Sequence, residues 1–282
     1  MSTRTEIDDN DLTCKPDVIQ KSTRTEIVSS FYSQIDEDGR LCGSRHGQLE
    51  FATTMNYIHR YADRNSKVLE VGAGTGRYSI ALAKEGMDVT AVELVEGNLK
   101  VLRENSIGLD NIKSYQGDAT DLSGFSDDTF DVTLVFGPLY HLYEAAEVHK
   151  AIDEAIRVTK PGGVMLFAFI SVFGIMYANY FKGNWAEGQE ENFTDDYKIR
   201  HFKEQLFTGY DVVEFEALFE DKPVNWITTT GVDGLIEPIE ERADFELSDA
   251  DFKRLADWYL AFSQKRELLG NTNHLLYICR KK

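Results

Sequence analysis

At 282 residues, with 42% hydrophobic and 28% charged side chains, the chain is long enough for one large α/β domain with appendages. A formal net charge of -18 repels phosphate backbones, which excludes DNA as the main partner and argues against RNA. Cys14, Cys42 and Cys279 lie far apart without metal-ligand spacing, so neither a disulfide framework nor a zinc site is indicated, and a reducing, cytoplasmic setting is expected.

Residues 1–20 are polar and acidic, read as a disordered tail, and lack the apolar centre of a secretory signal. The hexapeptide STRTEI at 2–7 recurs at 22–27, and nothing in the sequence explains the repeat. Helical patterning begins at Glu26, Ile27 and Val28, continues through Phe31 and Tyr32, and breaks in the turn that ends at Gly39. It resumes from about Gln48 to Tyr61, and residues 39–48 between the two read as a glycine-punctuated loop carrying Arg45 and His46.

From Lys67 onward, short apolar runs alternate with amphipathic helices, the pattern of βα units around a parallel sheet. Strands are expected at about 67–71, 88–93, 112–116, 130–136 and 163–170, with helices near 76–85, 96–105 and 144–159. Gly86 suits the end of the first of these helices, and Pro161 cannot continue the last. Residues 162–181 carry no charge over a length that could cross a bilayer, yet a buried strand followed by a helix gives the same signal, and no membrane span is expected. A polar, aromatic insertion near 172–210 interrupts the alternation. Beyond it the pattern predicts a helix at 211–220, a strand at 225–230, helices at 233–242 and 249–267, and a last strand at 273–279. Residues 186–255 hold 19 Asp and Glu against 7 Lys and Arg, which reads as a solvated acidic face.

The stretch VLEVGAGTGRYSI follows the first strand with Gly72, Gly74 and Gly76. A dinucleotide site would want a glycine where Arg77 stands, and Glu70 would repel a pyrophosphate, so a nicotinamide-dependent oxidoreductase is disfavoured. A carboxylate there suits a cationic ligand.

On these residues the chain resembles the class I methyltransferases that use S-adenosylmethionine, whose first motif is an acidic residue followed by GxGxG. The resemblance runs over about residues 67–170 and implies a Rossmann-like fold, a seven-stranded, mostly parallel sheet with an antiparallel last strand. It implies that the loop of Glu70, Gly72, Ala73, Gly74, Thr75 and Gly76 wraps the methionine part of the cofactor. Glu93, ending the second strand beside Leu94, is implied to hold both ribose hydroxyls, and Asp118 with Ala119 to face the adenine. Phe136 and Gly137 close the cofactor side after the fourth strand, and Tyr140 and His141 stand where the family transfers its methyl group. His141 is a candidate general base, Tyr140 a pocket wall and orienting donor.

The segments RHGQLEF and GPLYHL are similar to those of a bacterial, small-molecule-type set of these enzymes. That similarity implies an N-terminal helical cover over residues 21–66 ahead of a core at 67–282, and places Arg45 and His46 over the pocket to meet the substrate. Tyr177, after the fifth strand, is a further candidate for the acceptor cavity. The expected reaction moves a methyl group to an O, N or C atom of a small molecule, with no metal. The rivals are an RNA or protein methyltransferase, against which stands FGPLY in place of an NPPY-type tetrapeptide, and a domain that binds S-adenosylmethionine without catalysis.

Overall fold

The computed structural model describes residues 24–32, 43–181, 183–202 and 205–282. The expected tail at 1–20, Cys14, Cys42 and the first STRTEI copy lie outside the described residues. Two helices, α1 (Arg24–Tyr32) and α2 (Arg45–Ile58), precede the sheet. The strands are β1 (Lys67–Val71), β2 (Asp88–Glu93), β3 (Ile112–Gln116), β4 (Phe130–Val135), β5 (Thr159–Ser171), β6 (Gly209–Tyr210), β7 (Val224–Gly231) and β8 (His274–Lys281). Helices α3 (Arg77–Lys84), α4 (Glu96–Asn105) and α5 (Ala145–Val158) connect β1 to β2, β2 to β3 and β4 to β5.

The strand order is β3-β2-β1-β4-β5-β8-β7, with β6 paired to β5. All pairings are parallel except those of β8, which runs antiparallel to both β5 and β7. This is the expected mixed sheet with one additional two-residue strand. Val68, Leu69, Val132, Leu134, Met165 and Phe167 are all sealed from solvent, because a parallel sheet is covered on both faces. Alternate residues along β1, β5 and β8 sort into two cores. Leu69, Phe167 and Tyr277 pack under α5, whereas Val68, Leu166 and Ile278 pack under α2 and α3.

The order reverses between β1 and β4, so the carboxyl ends of those neighbours open a crevice in which open α/β sheets bind ligands. Beyond the last β4 partner, Phe167, strand β6 takes over the edge of β5 at Ile170 and Ser171, and Thr208 N donates to Tyr140 O at 2.7 Å. The insertion is thereby stitched to the rim of the crevice.

Some local expectations are corrected. Residues 45–48 are helical: the Ser44 hydroxyl accepts from Gly47 N and starts α2 three residues before Gln48. Strand β5 begins at Thr159, and the proline-glycine run is a bulge in which Lys160 to Gly163 stand opposite Asp131. The expected helix at 249–267 divides into α6 (Asp249–Phe262) and a turn at Arg266–Leu269. The uncharged residues 162–181 are mostly the central strand β5, and no helix among the described residues is long and apolar enough to cross a membrane.

Candidate active site

The turn after β1 is built from left-handed glycines, with φ of 82° at Gly72, 54° at Gly74 and 92° at Gly76. Gly72 lies so close to the turn after β4 that an added Cβ would meet Phe136 O at 2.3 Å and the Pro138 ring at 2.5 Å. Gly74 faces open space, and Gly76 packs against Leu102 at the start of α3. The crevice is a cavity of about 930 Å³ including its open mouth. Glu70, Gly72, Ala73, Gly74, Thr75, Glu93, Leu94, Asp118, Ala119, Phe136, Gly137, Tyr140 and His141 all line it, while Gly76 shapes the turn from behind.

Three carboxylates stand around the glycine turn in different states. Glu93 accepts from Gly74 N and Val95 N, both at 2.8 Å, one on each oxygen, which fixes the carboxylate and leaves further lone pairs for a ligand. Glu70 is buried against the Ser79 hydroxyl, and that burial raises its pKa to about 8. Asp118 is half-buried. Burial works to raise its pKa, but the Thr120 N–H and the Arg24 guanidinium outweigh that and hold it below the usual range.

His141 ends the short 3-10 turn Pro138–His141. Its Nδ1 faces Leu206 O at 2.7 Å and must donate, so Nε2 accepts from the Tyr32 hydroxyl at 3.0 Å. Burial lowers its pKa to about 4 and keeps the ring neutral. The folded state thus binds fewer protons than the unfolded chain between pH 6.5 and 4. The stability this neutral ring carries is complete above pH 6.5 and is lost as pH falls through 4, about 3 kcal/mol in all. Urea unfolding of His141→Gln is therefore expected to show a shallower loss between pH 6.5 and 4 than the parent chain. Equal slopes would contradict the buried, neutral ring.

Arg45, His46 and Tyr177 do not line the cavity. Arg45 and His46 occupy the first turn of α2 and point toward the C-terminal segments, Arg45 onto Asp249 and His46 onto Glu240. Tyr177 lies in the π-helical turn Met176–Tyr180, its ring beside those of Phe181 and Trp185. In their place Arg24, Tyr32, Glu50, Arg77 and Tyr78 reach the cavity. Tyr32 and Glu50 come from the two cover helices. Of the other histidines, His59 pairs with Glu85, His201 with Glu214 and His274 with Asp233, whereas the Nδ1 of His149 is buried without a hydrogen-bond partner. Among the described residues Asp233, Glu237 and His274 bring ligand-type atoms within 4.8 Å of one another, but Asp233 already accepts from the Thr272 hydroxyl, Asn273 N and the His274 ring.

Residues 69–167, which hold the glycine turn and all four strand ends around it, match the family model described as a methyltransferase domain. Over these residues, about a third of its length, the chain is similar to methyltransferase domains. It is 39% identical over 154 residues to a demethylmenaquinone methyltransferase of Clavibacter sepedonicus, covering 54% of this chain and 58% of the relative. A demethylmenaquinone methyltransferase of Staphylococcus aureus strain JH9 is 38% identical over 128 residues, covering 42% of this chain and 51% of the relative. The chain spans about half the length of these curated relatives. A solved S-adenosylmethionine-dependent methyltransferase of Thermotoga maritima superposes with a TM-score of 0.55 at 16% identity, covering 91% of this chain and 99% of the other, a likeness of fold.

The cofactor implied by this likeness is S-adenosylmethionine, and the cavity fits it. Gly74 leaves a cradle that a Cβ would fill, and Glu93 offers fixed acceptor sites to a diol. With Glu70 protonated, the carboxylates of Glu50, Glu93 and Asp118 face the guanidiniums of Arg24 and Arg77, an excess of negative charge suited to a sulfonium.

Proposed function

We propose that the chain is an S-adenosylmethionine-dependent methyltransferase whose acceptor is a small molecule. The observation that carries this reading is the cover. Arg24 of α1 is locked onto Asp118, beside the proposed adenine position, and Tyr32 onto His141 at the acceptor end. Helix α1 therefore lies across the crevice and narrows it to a partly open pocket rather than a groove for a polymer. The named activity of the Clavibacter and Staphylococcus relatives, on a quinone, agrees with an acceptor of that size.

When bound, the cofactor supplies an electrophilic methyl group on a positively charged sulfur. In this reading Glu93 holds the ribose hydroxyls, Asp118 and Ala119 meet the adenine, and Glu70 with the glycine turn receives the methionine end. Leu94, Phe136 and Gly137 complete the walls. Tyr140, whose hydroxyl stands over Gly137, orients the acceptor, and His141, whose Nε2 accepts from the Tyr32 hydroxyl, is the candidate base that takes the acceptor's proton by way of that hydroxyl. A base of this pKa puts the acid limb of the rate near pH 4. Arg45, His46 and Tyr177 are given no part.

The reading is tested by calorimetric titration of the protein with S-adenosylmethionine, S-adenosylhomocysteine and NAD. Saturable binding of the first two and none of NAD is expected, and folded protein that binds neither adenosyl ligand overturns it. Glu70 adds a second signature. A ligand ammonium beside a carboxyl that is protonated up to about pH 8 drives its proton off, so binding at pH 7 is expected to release close to one proton and at pH 9 almost none. Titrations in phosphate and in Tris read this directly. Identical heats in the two buffers at pH 7 would remove Glu70 from the ammonium site.

A further inference from the structure

Glu50 adds to the negative charge of the cavity but is the one of its carboxylates to which the cofactor reading assigns no hydrogen bond. It lies on α2, and its Oε2 is fully buried with no hydrogen-bond partner. An unpartnered buried carboxylate oxygen costs folding free energy, so a side chain held this way points to a ligand that supplies the missing donor. One turn further along α2, Thr54 bonds the Tyr78 hydroxyl, and the Tyr78 ring is wedged between Phe51 and Phe136. Tyr78, Phe136 and Tyr140 line the same cavity as Glu50, with Tyr32 from α1 above them. Behind Glu50, the His274 ring feels its charge but is bonded through Nδ1 to Asp233.

A neutral hydroxyl could satisfy the oxygen, but the surroundings select a cation. Arg24 is bonded to Asp118 and keeps a buried Nε, 3.7 Å from Glu147, without a hydrogen-bond partner. The guanidinium of Arg77 lies over the Phe51 ring at 4.3 Å, and neither arginine bonds the Glu50 Oε2. Tyr78, Phe136 and Tyr140 bring aromatic rings to the same cavity, whose negative faces attract ammonium groups and gain nothing comparable from an alcohol. We propose that the acceptor is an amine, bound as its ammonium ion between Glu50 and the rings of Tyr78, Phe136 and Tyr140. The ammonium gives one proton to the Glu50 carboxylate, and the freed nitrogen lone pair then forms the N–C bond as the methyl carbon's bond to sulfur breaks and S-adenosylhomocysteine leaves. This rests on the methyltransferase reading above and names its substrate class.

The test titrates wild-type protein saturated with S-adenosylhomocysteine with benzylammonium and 2-phenylethylammonium chlorides, and with the uncharged isosteres benzyl alcohol and 2-phenylethanol. The ammonium probes are expected to bind about tenfold or more tightly than the alcohols. Glu50→Gln is expected to erase that preference while leaving S-adenosylhomocysteine affinity within about twofold. Tyr140→Leu, which keeps Glu50, is expected to weaken the ammonium probes more than the alcohols, so the proposal does not hang on one variant folding. Alcohols that bind as well as ammoniums, or no ammonium binding to the loaded protein, overturn it. So does a Glu50→Gln variant that loses S-adenosylhomocysteine and keeps the probes, since Glu50 would then serve the cofactor. Wild-type protein that fails to bind S-adenosylhomocysteine at all instead overturns the methyltransferase reading beneath it.

Discussion

Titrated with S-adenosylhomocysteine, Glu93→Ala is expected to bind about 100-fold more weakly than the parent chain, a loss of about 3 kcal/mol. Two hydrogen bonds from a diol to an ionised carboxylate supply an effect of that order, since charge-assisted bonds are each worth about 1.5–3 kcal/mol. The same carboxylate also receives Gly74 N and Val95 N, so its removal frees the glycine turn as well as the ribose site. Glu93→Gln separates the two losses. An amide keeps one acceptor oxygen but turns an NH2 toward a group that needs an acceptor, so one of the two backbone N–H groups goes unsatisfied. Its affinity should fall between those of Glu93→Ala and the parent, with thermal stability lowered in both. If Glu93→Ala binds within about threefold of the parent, the ribose does not sit on Glu93, and the strand-end carboxylate is there for the turn alone.

The cofactor half of this cavity was legible because its signals are local. Strands β1 to β4 fall within a residue of their expected bounds: β1, β2 and β4 are short apolar runs closed by a glycine or a carboxylate, and the polar edge strand β3 is closed by Gly117. Glu70 is read from its strand end, and Glu93 and Asp118 are found by the family resemblance at the ends of the next two strands, without knowledge of any distant contact. The acceptor half was not legible in the same way. Tyr32 and Glu50 come from helices separated from the sheet by loops, and which face they show depends on helix phase. Gly43 and Gly47 made residues 39–48 read as a loop, which hid the Ser44 cap and drew attention to Arg45 and His46, whereas the face turned to the cavity is that of Glu50. A serine three residues before a glycine and six before a glutamate is a weak signal, but it is the one that could have found it. Tyr177 has the spacing of a pocket residue, yet the π-helical turn carries its ring to a surface cluster with Phe181 and Trp185. Strand β6 is two residues long and too short to show any period.

The three glycines of the first turn have the same signature in sequence and different tasks in the fold, and alanine substitution separates them. At Gly72 a Cβ would stand 2.3 Å from Phe136 O and 2.5 Å from Pro138 Cδ, a backbone carbonyl and a ring that cannot swing aside. Added to the cost of a positive φ at a residue with a side chain, this predicts that Gly72→Ala loses about 3 kcal/mol or more of stability, or fails to fold. At Gly74 nothing lies within 4 Å, so Gly74→Ala meets only the left-handed φ of 54°, a cost of about 1–2 kcal/mol. Its methyl group would instead project into the space where the cofactor's methionine end is proposed to lie. Gly74→Ala is therefore expected to unfold within a few degrees of the parent while losing about tenfold or more in S-adenosylhomocysteine affinity. Thermal unfolding and calorimetry on the two variants check both halves at once. Should Gly74→Ala bind as the parent does, the cofactor lies elsewhere in the cavity, and the glycine there answers only the demand of the turn.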